Sequence, residues 1–298
     1  MASPPPPLGP FEPRLLRLRK RRASARGGDA FLFARAAEDL AERLEAVPRR
    51  FERVLALGGN GAFSAALAAR PEVATRIGSV VEADVARGDV VLDVEALPFA
   101  PESFDLVVSP LLLHWANDLP GVFIQIRRAL KPDGLMLASL LGGETLNELR
   151  FALLAAEDEV TGGAALRVSP FAELQDIAGL LQRAGFALPG ADRDVLVVRY
   201  AEPLTLIADL RAMGETAAFT ERAPRGLSKR ILARALEIYR ERFADPDGRV
   251  RATFEILTAT GWAPHESQQK PLKPGSAKTR LADALGVRER SAGEKAGD

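Results

Sequence analysis

The residues best suited to chemistry in this chain gather after four short apolar runs. The run "RVLAL" leads into Gly58, Gly59, Asn60 and Gly61, and the alanine-rich "AFSAALAAR" follows. A glycine turn between a strand and a helix lets a ligand approach the backbone, and free N–H groups there favour an anionic group. Glu82 and Asp84 end the next run, Asp93 and Val94 the one after, and Ser109 ends "FDLVVS". Carboxylates at strand ends accept hydrogen bonds from ribose hydroxyls, and a further acid or amide can read an adenine edge. His114 and Trp115 come next, the histidine suited to act as a base or to line a crevice wall. Glu144 and Glu148 lie four apart, one face of a helix. That pair could hold a guanidinium or form a solvated helix face.

Composition removes other chemistries. The chain of 298 residues has no Cys, so disulfides, thiolate metal sites and cysteine nucleophiles are out. Its two His are His114 and His265. An iron site of two His and a carboxylate would need both, and their spacing gives no support, so no metal is assigned. Lys plus Arg equals Asp plus Glu, 40 each, which gives no reason to expect a nucleic-acid partner. No apolar run approaches the length of a membrane span.

The elements that must position these residues alternate. Strand patterns at "RVLAL", "RIGSVVEAD", "GDVVLDV", "FDLVVSP" and "LMLASLLGG" are separated by helical ones, with "KPDG" as a turn closing the helix "DLPGVFIQIRRALK". "DAFLFARAAEDLAERLEAV" precedes them as an amphipathic helix. "SPFAELQDIAGLLQRAGF" reads as a helix with Ser169 at the N-cap, Pro170 in its first turn and Gly185 at its end. Such alternation implies an α/β fold, a mostly parallel sheet covered on both faces, with ligands at the carboxyl ends of the strands. "RDVLVVRYA" and "VRATFEILTATGW" read as an antiparallel pair at the sheet edge, with two helices inserted at about 202–245. Three regions follow: a Pro-rich and Arg-rich arm at 1–29, the main domain at 30–264, and a polar tail at 265–298. The arm holds seven basic residues and no acid in "RLLRLRKRRASAR". It reads as a solvated helix or as a segment docking an acidic surface, membrane or protein.

The run "LDVEALPFAPESFDLVVSPLLLHWANDLPGVFIQIRRALKPDGLMLASL" resembles the S-adenosylmethionine-dependent class I methyltransferases, in which D-x-x-x-L-P-F precedes the fourth strand and LKPDG the fifth. "LHWANDLPG", "GGETLNELR", "DLRAMGE" and "HESQQKPLKPGSA" resemble one group within them, the complex I assembly family described as arginine hydroxylases. The malonyl-carrier-protein methyltransferases of biotin synthesis are similar over less of the chain. The resemblance implies a Rossmann-like sheet of seven strands and a transferase or protein hydroxylase. It implies S-adenosyl-L-methionine held at Gly58 to Gly61, Glu82, Asp84, Asp93, Val94 and Ser109, with His114 and Trp115 catalytic and Glu144 and Glu148 toward substrate. It further implies a protein substrate, a respiratory complex I subunit. Its place would be the bacterial cytoplasm, peripheral to the inner membrane through the basic arm, or the mitochondrial matrix in a eukaryote. The chain departs from the family loop Asp/Glu-x-Gly-x-Gly-x-Gly. Ala56 stands at the acid and Ala62 at the last glycine. Losing that carboxylate removes a charged hydrogen bond worth roughly 1.5–3 kcal/mol. The expectation is weakened cofactor binding. Two other readings stay open: a small-molecule or carrier-protein O-methyltransferase, and a non-catalytic assembly chaperone with a degraded loop.

Overall fold

The computed structural model describes residues 9–27, 30–163, 165–220, 226–269 and Gly286. The chain divides into two units, 1–264 and 265–298. In the first, α1 (Pro13–Arg26) and α2 (Phe31–Arg43) lead into β1 (Phe51–Leu57). There follow α3 (Ala62–Ala68), α4 (Pro71–Ala74), β2 (Ile77–Asp84), β3 (Val90–Val91) and β4 (Phe104–Pro110). The remainder is α5 (Leu119–Ala129), β5 (Leu130–Leu141), α6 (Asn147–Thr161), α7 (Leu174–Arg183), β6 (Ala187–Tyr200), α8 (Pro203–Met213), α9 (Lys229–Phe243) and β7 (Val250–Trp262).

The strands form one sheet in the order β3-β2-β1-β4-β5-β7-β6. The first five pair in parallel and β7 runs antiparallel to both β5 and β6. The sequence places the antiparallel pair at the sheet edge. β6 is the edge, but β7 lies inside, and Phe254 to Ala259 are buried on both faces. This is the class I methyltransferase arrangement, and it turns the strand order at β1 and β4. Ligand crevices form outside the carboxyl ends of such strands.

Local sequence explains most elements. Asp118 caps α5 by accepting from the Gly121 N–H at 2.9 Å, with Pro120 in the first turn. α5 buries Val122, Phe123 and Ile126 against the sheet. "KPDG" follows the end of α5 at Ala129, as the sequence suggests, and forms a bulge within β5. Phe104 pairs with Leu130 but Leu106 with Leu135, so three extra residues are accommodated around Asp133 at φ 62°. The Ser169-Pro170 start is also displaced: α7 begins at Leu174 with Glu173 at its N-cap, because the preceding chain bridges Ala172 to Gly142 beside β5.

The basic arm differs most from the solvated reading. Glu12 caps α1 by accepting from the Arg14 N–H at 3.0 Å. Leu16, Lys20 and Ala23 then face inward along one stripe and are buried. Phe11 packs edge-on against Trp115, with ring centres 5.2 Å apart, and stacks near Phe219. The first unit therefore includes α1 in its core; residues 1–8, also in the arm, lie outside the described residues. No helix among the described residues is long and apolar enough to cross a membrane.

Candidate functional site

The glycine turn is built from left-handed backbone. Gly58, Gly59, Asn60 and Gly61 have φ of 86°, 73°, 57° and 86°. The Gly58 N–H donates to the Ala83 carbonyl at 2.7 Å, tying the turn to the end of β2. A side chain on Gly59 would overlap the Pro110 ring, whereas a Cβ on Gly61 would meet nothing within 4 Å. Gly61 thus leaves open space where a ligand can pass close to the main chain. Arg87 braces the turn from below, donating to the Asn60 carbonyl at 3.0 Å.

Beside it lies a crevice of about 260 Å³, bounded by Gly58, Asn60, Gly61, Glu82, Asp84 and residues 87–89. Burial raises the Glu82 carboxyl, opposed by a short hydrogen bond from the Ser64 hydroxyl and helped by Asp89 and Asp84. Burial likewise raises Asp84, and Lys20 opposes it. Asp84 accepts from the Ala86 N–H at 3.0 Å. Two strand-end carboxylates whose charge is poorly solvated will gain from a ligand's hydroxyl or cationic donors. Ala56 is buried within β1 and supplies no third acid, and Ala62 opens α3.

The segment after β3 is covered by α1 and the residues before it. Asp93 closes a local turn, accepting from the Glu95 N–H at 3.1 Å. Phe11, Leu16 and Arg17 lie against Asp93 and Val94, leaving a gap of about 10 Å³, room for about one water. Arg17 donates to the Leu92 carbonyl at 3.4 Å. Ser109 is fully buried and donates to the Leu57 carbonyl at 2.8 Å, fastening β4 to β1 rather than facing a ligand. The residues present therefore fit an S-adenosylmethionine ribose and amino-acid portion. Asp93, an acid the resemblance assigns to the cofactor, lies under Phe11 and α1.

Glu144 and Glu148 do not share a helix face. Glu144 lies in the turn before α6 and accepts from Asn147 Nδ2 at 3.0 Å. Glu148 is buried and accepts from the Thr253 hydroxyl at 2.5 Å and the Thr253 N–H at 3.1 Å. It docks α6 onto β7, so neither the shared face nor the solvated face holds.

His114 and Trp115 sit in a 3₁₀ turn after β4, both buried. They meet a residue that sequence reasoning passed over. Glu215, which follows α8, accepts from Trp115 Nε1 at 3.0 Å and lies 3.0 Å from His114 Nε2. Its other oxygen pairs with the Lys20 ammonium of α1. Burial would raise the Glu215 carboxyl, but Lys20 and then His114 outweigh that and hold it at about 2. An ionised carboxylate only accepts hydrogen bonds, so His114 Nε2 must carry its hydrogen. The Nδ1 atom, on the other side of the ring, is buried without a hydrogen-bond partner. Trp115 and Glu215 also wall a second cavity, of about 460 Å³. Among the described residues no cluster of His, Cys, Asp and Glu converges as a metal set.

A family model described as Methyltransferase domain matches residues 58–138, from the glycine turn into β5. Fold, crevice and match define a chain built on a methyltransferase domain. The mouse protein named arginine-hydroxylase NDUFAF5, mitochondrial, is 34% identical over 315 residues, covering 99% of this chain and 92% of that one. The Danio rerio protein of the same name is 44% identical over 200 residues, covering 67% of this chain and 62% of that one. A malonyl-[acyl-carrier protein] O-methyltransferase of Halorhodospira halophila is 37% identical over 202 residues, 67% of this chain and 65% of that one. This chain belongs to the arginine-hydroxylase NDUFAF5 family.

Proposed function

We propose that the chain modifies an arginine side chain of a protein partner, the reaction in its relatives' name, with S-adenosylmethionine held in the acid-lined crevice. The observation that carries this reading is the buried His114 Nδ1, left without a partner while Nε2 is held on Glu215. A ring fixed at one nitrogen with the other unspent is arranged to exchange a proton or a hydrogen bond with a substrate group. When bound, the cofactor supplies a sulfonium cation carrying an activated methyl group. Asp84 and Glu82 would take its hydroxyls, and the open backbone at Gly61 its approach. Glu215 is a positioning residue: it orients His114 and Trp115 and anchors α1 through Lys20. The weakening expected from Ala56 belongs to this proposal, since the raised Asp84 and Glu82 are the remaining acids at the crevice. Following the family resemblance, the partner is a respiratory complex I subunit, and the chain works wherever that subunit is assembled.

The test compares that subunit, purified from cells with and without the gene, by peptide mass spectrometry. An arginine that gains one oxygen atom only when the protein is present supports the reading; that atom comes from dioxygen with an external two-electron reductant and water as the second product, since the methyl sulfonium carries no oxygen. A gained methyl group would identify a methyltransferase instead. Unchanged arginines beside failed assembly would identify a chaperone.

A further inference from the structure

We infer that the larger cavity, between α1, α6 and α8, binds a long-chain amphiphile with an anionic head: an acyl tail against its leucine wall and the head on its arginines. Its volume of about 460 Å³ lies in the range of small-molecule sites. The wall is apolar and mostly leucine, drawn from Leu32 of α2, Leu141 of β5, Leu149 and Leu153 of α6, Leu210 of α8 and Phe254 of β7. Such a wall gives water few partners, and favours a hydrocarbon chain in its place.

The exposed charged residues are all arginines. Arg22 and Arg26 of α1 and Arg211 of α8 line the cavity, are exposed, and have no side-chain partner among the described residues. Glu215 is the one carboxylate among the described lining residues, and Lys20, His114 and Trp115 already satisfy it. Guanidinium groups recognise carboxylate and phosphate through paired N–H donors. The same arginines disfavour entry of a substrate guanidinium, so this occupant is distinct from the modified arginine, and the inference does not depend on the proposed reaction. A free fatty acid and a single-chain anionic phospholipid share the chemistry.

The test is calorimetric titration of the full chain with octanoate, decanoate and dodecanoate below their micelle concentrations, with dodecanol as the neutral-headed control. A second arm uses lysophosphatidylglycerol. The variant is the surface triple Arg22→Gln, Arg26→Gln, Arg211→Gln, which leaves the buried wall untouched. The expected result is affinity rising about tenfold for every two methylenes added, with dodecanol and the triple variant at least tenfold weaker. Binding of lysophosphatidylglycerol in place of dodecanoate upholds the site and assigns its source to membrane lipid. Absence of binding to both, affinity indifferent to chain length, or full affinity in the triple variant overturns the inference. No cofactor and no modification reaction enters the readout, so failure here leaves the proposed function standing.

Discussion

Replacing Lys20 by Met removes the cation that keeps Glu215 ionised while leaving the carboxyl group buried. In the folded protein Glu215 drops from its ordinary 4.5 to about 2. At about 1.4 kcal/mol per pH unit, that is roughly 3 kcal/mol of stability at neutral pH. Lys20 leads the lowering causes, ahead of His114, and burial pulls the other way. Deleting one partner of a buried pair costs about 3–5 kcal/mol when the other charge stays behind. Lys20→Met should therefore lose about 3 kcal/mol in urea unfolding at pH 7, whereas Glu215→Gln added to it should recover part of the loss. The pH dependence has a fixed sign. A carboxyl lowered by folding gives stability that is fully present above 4.5 and fades as pH falls toward 2. Glu215→Gln should flatten that acid limb. A Lys20→Met protein within 1 kcal/mol of the parent, with an unchanged acid limb, would refute the reasoning.

Other perturbations separate structure from chemistry. His114→Gln, whose amide can still donate to Glu215, should keep the unfolding midpoint near the parent while abolishing arginine modification in the cellular assay. Gly59→Ala should lose about 2 kcal/mol or more, from a left-handed φ and a clash with Pro110, read by urea unfolding. Glu148→Ala should cost about 1–3 kcal/mol by stranding the Thr253 donors, yet leave cofactor affinity within twofold by calorimetry. Phe11→Ala, which thins the cover over Asp93, should raise cofactor affinity by calorimetry, because it uncovers that acid.

The sheet was legible because its strands are short apolar runs with turns between them. The acids at the ends of β2 and β3 followed from that pattern. What escaped depends on distant pairing. Glu215 meets Lys20, His114 and Trp115 from positions 195, 101 and 100 residues away. Nothing local to "DLRAMGE" announces a buried carboxylate. In α1 the stripe Leu16, Lys20, Ala23 has helical spacing, but a lysine at its centre and six arginines around it mask the inward face. The Lys20 stem packs inward because Glu215 awaits its charge. Glu144 and Glu148 have the spacing of a shared helix face, but α6 starts too late to include both, and β7 claims the second. Ser109 sits at the right strand end for a ligand, yet the nearer acceptor is the Leu57 carbonyl.

The most direct test of the site is calorimetric titration of the purified chain with S-adenosylmethionine, with Asp84→Asn and Asp93→Ala alongside. The account predicts saturable binding that Asp84→Asn weakens at least tenfold. Asp93→Ala should weaken it less, because α1 already covers that acid. An Asp84→Asn protein that binds as tightly as the parent, or a parent that gives no heat and no thermal shift at millimolar ligand, would contradict it.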